Sequence, residues 1–312
     1  MAWLQVLHCY ELLDTAHVTA VQVQDLLESG GVPEVTVARE EGPRGGTDFI
    51  RAVLPGSRGK RIGGDAPTLG IVGRHGGIGA RPHRIGYVSD GDGALAALSC
   101  ALKLGTMRAG GDILPGDVIV TTHICPTALV QPHDPVPFMI SPVDMAVMNR
   151  HEVDAAMEAI LCLDTTRGNR IINYKGFAIS PTVKEGYILR VSEDLLRLME
   201  YVTGLPPVVF AITHQDITPY SNGLHHLNSI LQPSTVTPAP TVGVALTTVT
   251  AVPGAATGAA QLADVEAAVR FCIEVAKALT AAECRFYDEA EFKHLFQLYG
   301  PMTRLQRPGE PP

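Results

Sequence analysis

The chain has 312 residues, 46% of them hydrophobic and 18% charged, enough for a large core in one α/β domain. Its formal net charge is −8 and no Lys/Arg block interrupts it, which argues against nucleic acid or an anionic membrane surface as a partner. No apolar run is long enough to span a bilayer.

The opening residues lack a basic segment followed by an apolar core, so a cytoplasmic location is expected. The six cysteines are scattered and form no CxxC pair, which reads as buried, reduced thiols. "HVTAVQVQDLLESGG" predicts a helix stopped by Gly30 and Gly31. "PEVTVARE" and "TDFIRAVLPG" predict strands separated by a turn. "TLGIVGR" is an apolar strand running into the glycine-rich "HGGIGARPHRIG", and "IGYVS" reads as a further strand. "GALAALSCALKLG" predicts a helix closed by Gly105, and "DVIVTTH" a buried strand. The five prolines between Pro126 and Pro142 mark residues 126–157 as a lid or binding loop. "AILCLDTT" is again a strand, and "YILRVSEDLLRLMEYVTG" holds a helix from about Ser192. Strands in "PPVVFAITH" and "TVGVALTTV" follow, with a short helix in "SNGLHHLNSIL" between them. "LADVEAAVRFCIEVAKAL" is a long amphipathic helix, and "ECRFYDEAEFKHLFQLYG" holds the last.

Strands and helices alternate, and the strands are continuous apolar runs. That pattern predicts one α/β domain over residues 1–312, with a mixed, mostly parallel sheet covered by helices on both faces. Sites in such sheets form at the carboxyl ends of strands. His75, Asp90, His123, Asp164 and the pair His214/Asp216 all follow apolar runs, and these residue types suit a divalent metal, zinc first. Each also has a plainer role: Asp90 or Asp92 as a helix cap, Asp164 as a turn former, His123 as a core histidine, His225 and His226 as ordinary helix residues. Cys125 beside His123 is a further candidate, as a thiolate nucleophile.

The segment "VSDGDGALAALSCALKLGTMRAGGDILPGDVIVTTH", followed by "CLDTT", resembles the core of the co-catalytic zinc aminopeptidases. The order of the later pieces, "YKGFAIS", "ITHQDITPYSNGLHHL" and "VGVALTTVTAVPG", follows that superfamily too. The whole chain is identified as a member of the bacterial family catalogued as domain of unknown function 1177. The resemblance covers residues 68–279 and implies an aminopeptidase-like fold with a metal site in which Asp90 and Asp164 match, His75 matches loosely, and His123 stands in for a glutamate ligand. The superfamily's Glu-Glu pair is replaced by "THICP", and its final histidine is absent from "TAVPGAATGAAQ", so the metal set is degenerate and the base is missing.

The expectation is a zinc-dependent hydrolase of an amide bond in a small peptide-like or cyclic amide substrate, with Asp92, His133, Asp134 or His225 as base. The alternative is a non-catalytic small-ligand-binding relative that has lost its metals. Apolar helices suit a homo-oligomer.

Overall fold

The computed structural model of the chain describes residues 1–134, 136–212 and 223–307. Two helices open it, α1 (Trp3–Leu13) and α2 (Ala20–Ser29). α2 begins on a capping box: the Thr19 hydroxyl accepts from the Gln22 N–H while the Gln22 side chain accepts from the Thr19 N–H. It stops, as expected, where Gly31 takes a φ of +94°. α1 is an addition to the sequence-based expectation. It buries Val6, Cys9 and Leu13 on one face, but Leu4 and Leu7 are exposed, which blurs its periodicity.

The strands are β1 (Glu34–Gly42), β2 (Gly45–Leu54), β3 (Leu69–Gly73), β4 (Val118–Ile124), β5 (Leu129–Gln131), β6 (Phe138–Ile140), β7 (Ala159–Thr165), β8 (Gly176–Ile179), β9 (Val183–Lys184), β10 (Tyr187–Ile188) and β11 (Thr241–Thr247). The remaining helices are α3 (Asp92–Ala109), α4 (Met145–Glu152), α5 (Glu193–Thr203), α6 (Leu262–Thr280) and α7 (Glu289–Tyr299). The main sheet runs β1-β2-β4-β3-β7-β11-β9-β10, with β8 also on β11. Its centre, β4-β3-β7-β11, is parallel, and the flanks are antiparallel.

The continuous apolar runs are explained by two cores. Leu69 and Ile71 of β3, and Leu161 and Leu163 of β7, enter the layer that holds α1, α2, α3 and α6. Val72, Ile160 and Cys162 point the other way, onto Phe210, Ile230 and Leu231. The second face is thinner, covered by α4 and a 3₁₀ segment, Ser229–Thr235. All six cysteines are buried and free, and no helix among the described residues is long and apolar enough to cross a membrane.

Several boundaries differ from expectation. α3 runs through Gly105 to Ala109. A Cβ at Gly105 would lie 2.9 Å from the Gly30 carbonyl, so this glycine serves helix packing rather than termination. "IGYVS" forms no strand; Val88 makes an isolated bridge with Thr257 and a 3₁₀ turn, Ser89–Gly91, follows. "PPVVFAITH" contributes only a bridge at Val209, and His214 and Asp216 lie outside the described residues. Instead of a helix, "SNGLHHLNSIL" gives His225 and His226 in irregular backbone ahead of the 3₁₀ segment. Residues 126–157 are more regular than their prolines suggest, holding the β5–β6 hairpin and α4.

Candidate functional site

β3 leads through α3 to β4 on one side, whereas β7 lies on its other side, so the carboxyl ends of β3 and β7 flank a topological switch point. Two glycines let α3 press onto those ends. A Cβ at Gly93 would sit 1.9 Å from the Arg74 carbonyl, and one at Gly73 would sit 2.5 Å from the Gly93 carbonyl. The start of α3 is thereby set against the carbonyls of Arg74 and Leu163, the residues just before His75 and Asp164.

A cavity of about 930 Å³ opens there. His75, Asp90 and Asp164 form its floor, the 165–173 loop and the 249–254 segment two walls, and His133, Asp134 and the hairpin a third. Gly168 permits the two walls to meet, since a Cβ there would lie 2.5 Å from the Thr248 carbonyl. Asp90 is held by its backbone N–H, which donates to the Gly254 carbonyl at 2.8 Å.

His75 Nε2 lies 3.4 Å from Asp164 Oδ2, while Asp164 Oδ1 accepts from the Thr165 N–H at 2.7 Å. Asp164 thus both shapes the turn, as its plainer reading has it, and faces the histidine. Burial pushes the Asp90 carboxyl up to about 7, with His75 opposing the shift and Asp164 adding to it. Three of the four residues named for the metal therefore meet.

The fourth, His123, is committed elsewhere. Its Nδ1 lies 2.5 Å from Glu152 Oε1, and its Nε2 accepts from the Gly76 N–H at 3.0 Å. Glu152 in turn lies 2.6 Å from Arg74, both side chains fully buried, and Arg74 also donates to Asn149 at 2.5 Å. No ring nitrogen of His123 is left for a metal, and it braces the glycine loop behind His75 instead. Among the described residues no group of three or more His, Cys, Asp or Glu is arranged to hold a metal ion. The residues present do not fit the metal centre that the resemblance implies.

Asp92 is no cap. It is the first residue of α3, makes no capping bond, and pairs through Oδ2 with Arg167 Nη2 at 2.7 Å. Burial raises its carboxyl to about 6, against the pull of Arg167. Asp92 ties α3 to the cavity wall, outside the cavity lining. His133 and Asp134 line the cavity from the hairpin side, where the His133 ring meets Phe138 edge-on. His225 is exposed and does not line it. Cys125 is buried, and burial raises its thiol, which disfavours a nucleophilic thiolate. Arg74, Glu152 and Arg167 went unnoticed in the sequence. Arg74 carries a signal, a lone charge after five buried residues, whereas Glu152 and Arg167 stand among other polar and charged residues.

The chain matches the model of a family described as protein of unknown function, DUF1177, over residues 38–309. The chain belongs to the DUF1177 family. No curated protein matches this DUF1177 chain. Among solved structures, a mutant of tomato leucine aminopeptidase is similar, with a TM-score of 0.51 and 12% identity, over 87% of this chain and 61% of that one. That likeness is one of fold, and the DUF1177 chain spans about three fifths of that enzyme's length. The aminopeptidase-like α/β architecture expected from the sequence is thereby shown.

Proposed function

We propose that this protein is a hydrolase of a small, peptide-like amide, working by acid–base chemistry at His75, Asp164 and Asp90. The observation that supports it most is the meeting of these three side chains on the floor of one cavity at the switch point of the sheet. Asp164 orients the His75 ring by facing Nε2, which leaves Nδ1 to take a proton from water. The hydroxyl adds to the amide carbonyl carbon. As the C–N bond breaks, Asp90, protonated near neutral pH, gives its proton to the departing nitrogen. Proton count balances: one leaves water for His75 and one leaves Asp90 for the amine, and both groups are reset through solvent.

The test is a screen of dipeptides and cyclic amides with and without chelator, read by amine release. Turnover that is lost in both His75→Gln and Asp90→Asn supports the reading. Turnover abolished by chelation alone overturns this route. A second reading, a ligand-binding relative without turnover, draws support from "THICP" in place of the superfamily's Glu-Glu pair. It is favoured if ligands raise the melting temperature and none is consumed.

A further inference from the structure

The cavity lining also carries arginines that the reaction above does not use. Arg167 lines the cavity, and its side chain is only 7% exposed. Its Nη2 serves Asp92 at 2.7 Å and the Ser89 carbonyl at 3.4 Å, which fixes the guanidinium in the cavity lining. A guanidinium offers five N–H donors in a planar fork, more than these two acceptors use. Arg170 lines the same cavity, is exposed, and enters none of the ion pairs among the described residues. A tight turn presents it: Asn169 Oδ1 accepts from the N–H groups of Ile171 and Ile172 at 2.8 and 3.0 Å.

We propose that Arg167 and Arg170 form an anion subsite that takes a free carboxylate of the ligand, so that the substrate class is a short peptide with an unblocked carboxyl end. Asp92 neutralises only Arg167, which leaves Arg170 as unbalanced positive charge on the 165–173 wall, while Asp90, Asp134 and Asp164 line the rest of the cavity. The arginines, His75 and Asp90 line one cavity, so a ligand held by its carboxylate has its amide in the same space as His75 and Asp90. The substrate class rests on the hydrolase reading, whereas the binding preference does not.

Calorimetry tests it with a panel of Xaa-Gly dipeptides, as free acids and as carboxyl-terminal amides, against wild type, Arg170→Gln, Arg167→Gln and Asp90→Asn. The expected result is a free acid bound about tenfold or more tighter than its amide, since hydrogen bonds to charged groups are the stronger ones. The preference is lost in Arg170→Gln, whose exposed position leaves folding intact even where Arg167→Gln orphans Asp92. Equal affinity for acid and amide overturns the proposal, as does the absence of binding by any acid at millimolar concentration. Inorganic phosphate binding as tightly as the acids also overturns the carboxylate assignment. A preference retained in Asp90→Asn, with turnover in no protein, sinks only the hydrolase reading. Turnover without any preference sinks only the subsite.

Discussion

Replacing Asp90 by asparagine should make the protein more stable at alkaline pH, although it removes the acid proposed for the reaction. The folded carboxyl is raised from 3.8 to about 7, chiefly by burial. A folded acid with a raised value holds its proton after the unfolded chain has lost it. Stability contributed by the neutral form is therefore complete below about pH 4, declines as pH rises, and is gone above about 7. At ~1.36 kcal/mol per pH unit, the full penalty has a ceiling of about 4 kcal/mol. Asp90 is partly exposed to the cavity, and screening there reduces this to about 2 kcal/mol. With about 2.1 cal/mol/K of unfolding entropy per residue, that is a rise in Tm of about 3 °C for this length of chain. Thermal melts of wild type and Asp90→Asn, with chelator present, provide the assay. The two curves should coincide near pH 4 and separate by pH 8, with the variant higher. A variant that melts lower at pH 8, or a difference that does not change with pH, refutes the argument that burial raises this carboxyl.

Glu152→Gln should cost about 3 kcal/mol or more in urea unfolding at neutral pH, because it leaves the Arg74 charge buried and uncompensated; a change below about 0.5 kcal/mol would refute the brace. Burial pushes Glu152 up, but Arg74 and His123 outweigh it and hold the group below its ordinary value. Its stabilisation is thus present above the ordinary glutamate range and lost as pH falls through the lowered one, which acid titration of wild type and variant will resolve. Gly93→Ala drives a methyl into the Arg74 carbonyl, and a loss of about 1–3 kcal/mol is expected in melting experiments; a neutral result would mean that α3 does not need its close approach. Cys125 should alkylate far more slowly than free cysteine at neutral pH, and mass spectrometry of iodoacetamide-treated protein measures that rate directly.

Local signals in the sequence located most elements. Thr19 before α2 and Ser192 before α5 cap their helices, the Ser192 hydroxyl accepting from the Leu195 N–H at 3.2 Å. His75 and Asp164 were legible because apolar strands end on them. The fate of His123 was not, since its partner Glu152 lies 29 residues further on, at the end of α4. The same holds for Asp92, whose partner Arg167 is 75 residues away, so a charge at a helix start looked like a cap. "IGYVS" has strand composition, but Val88 makes only an isolated bridge to Thr257 and its neighbours have no adjoining strand to pair with. Composition reports what a segment tolerates, and long-range pairing decides what it becomes.

The two ends of the main sheet bear on whether copies of the chain could join strand to strand. β1 is a long edge, nine residues that pair with β2 alone among the described strands, and its far end carries Arg39, Glu40 and Glu41. β10, at the other end, is only two residues long. Charge blunts one edge and brevity the other, the two usual guards against strand-to-strand zipping. Backbone addition between copies is thus disfavoured at both edges.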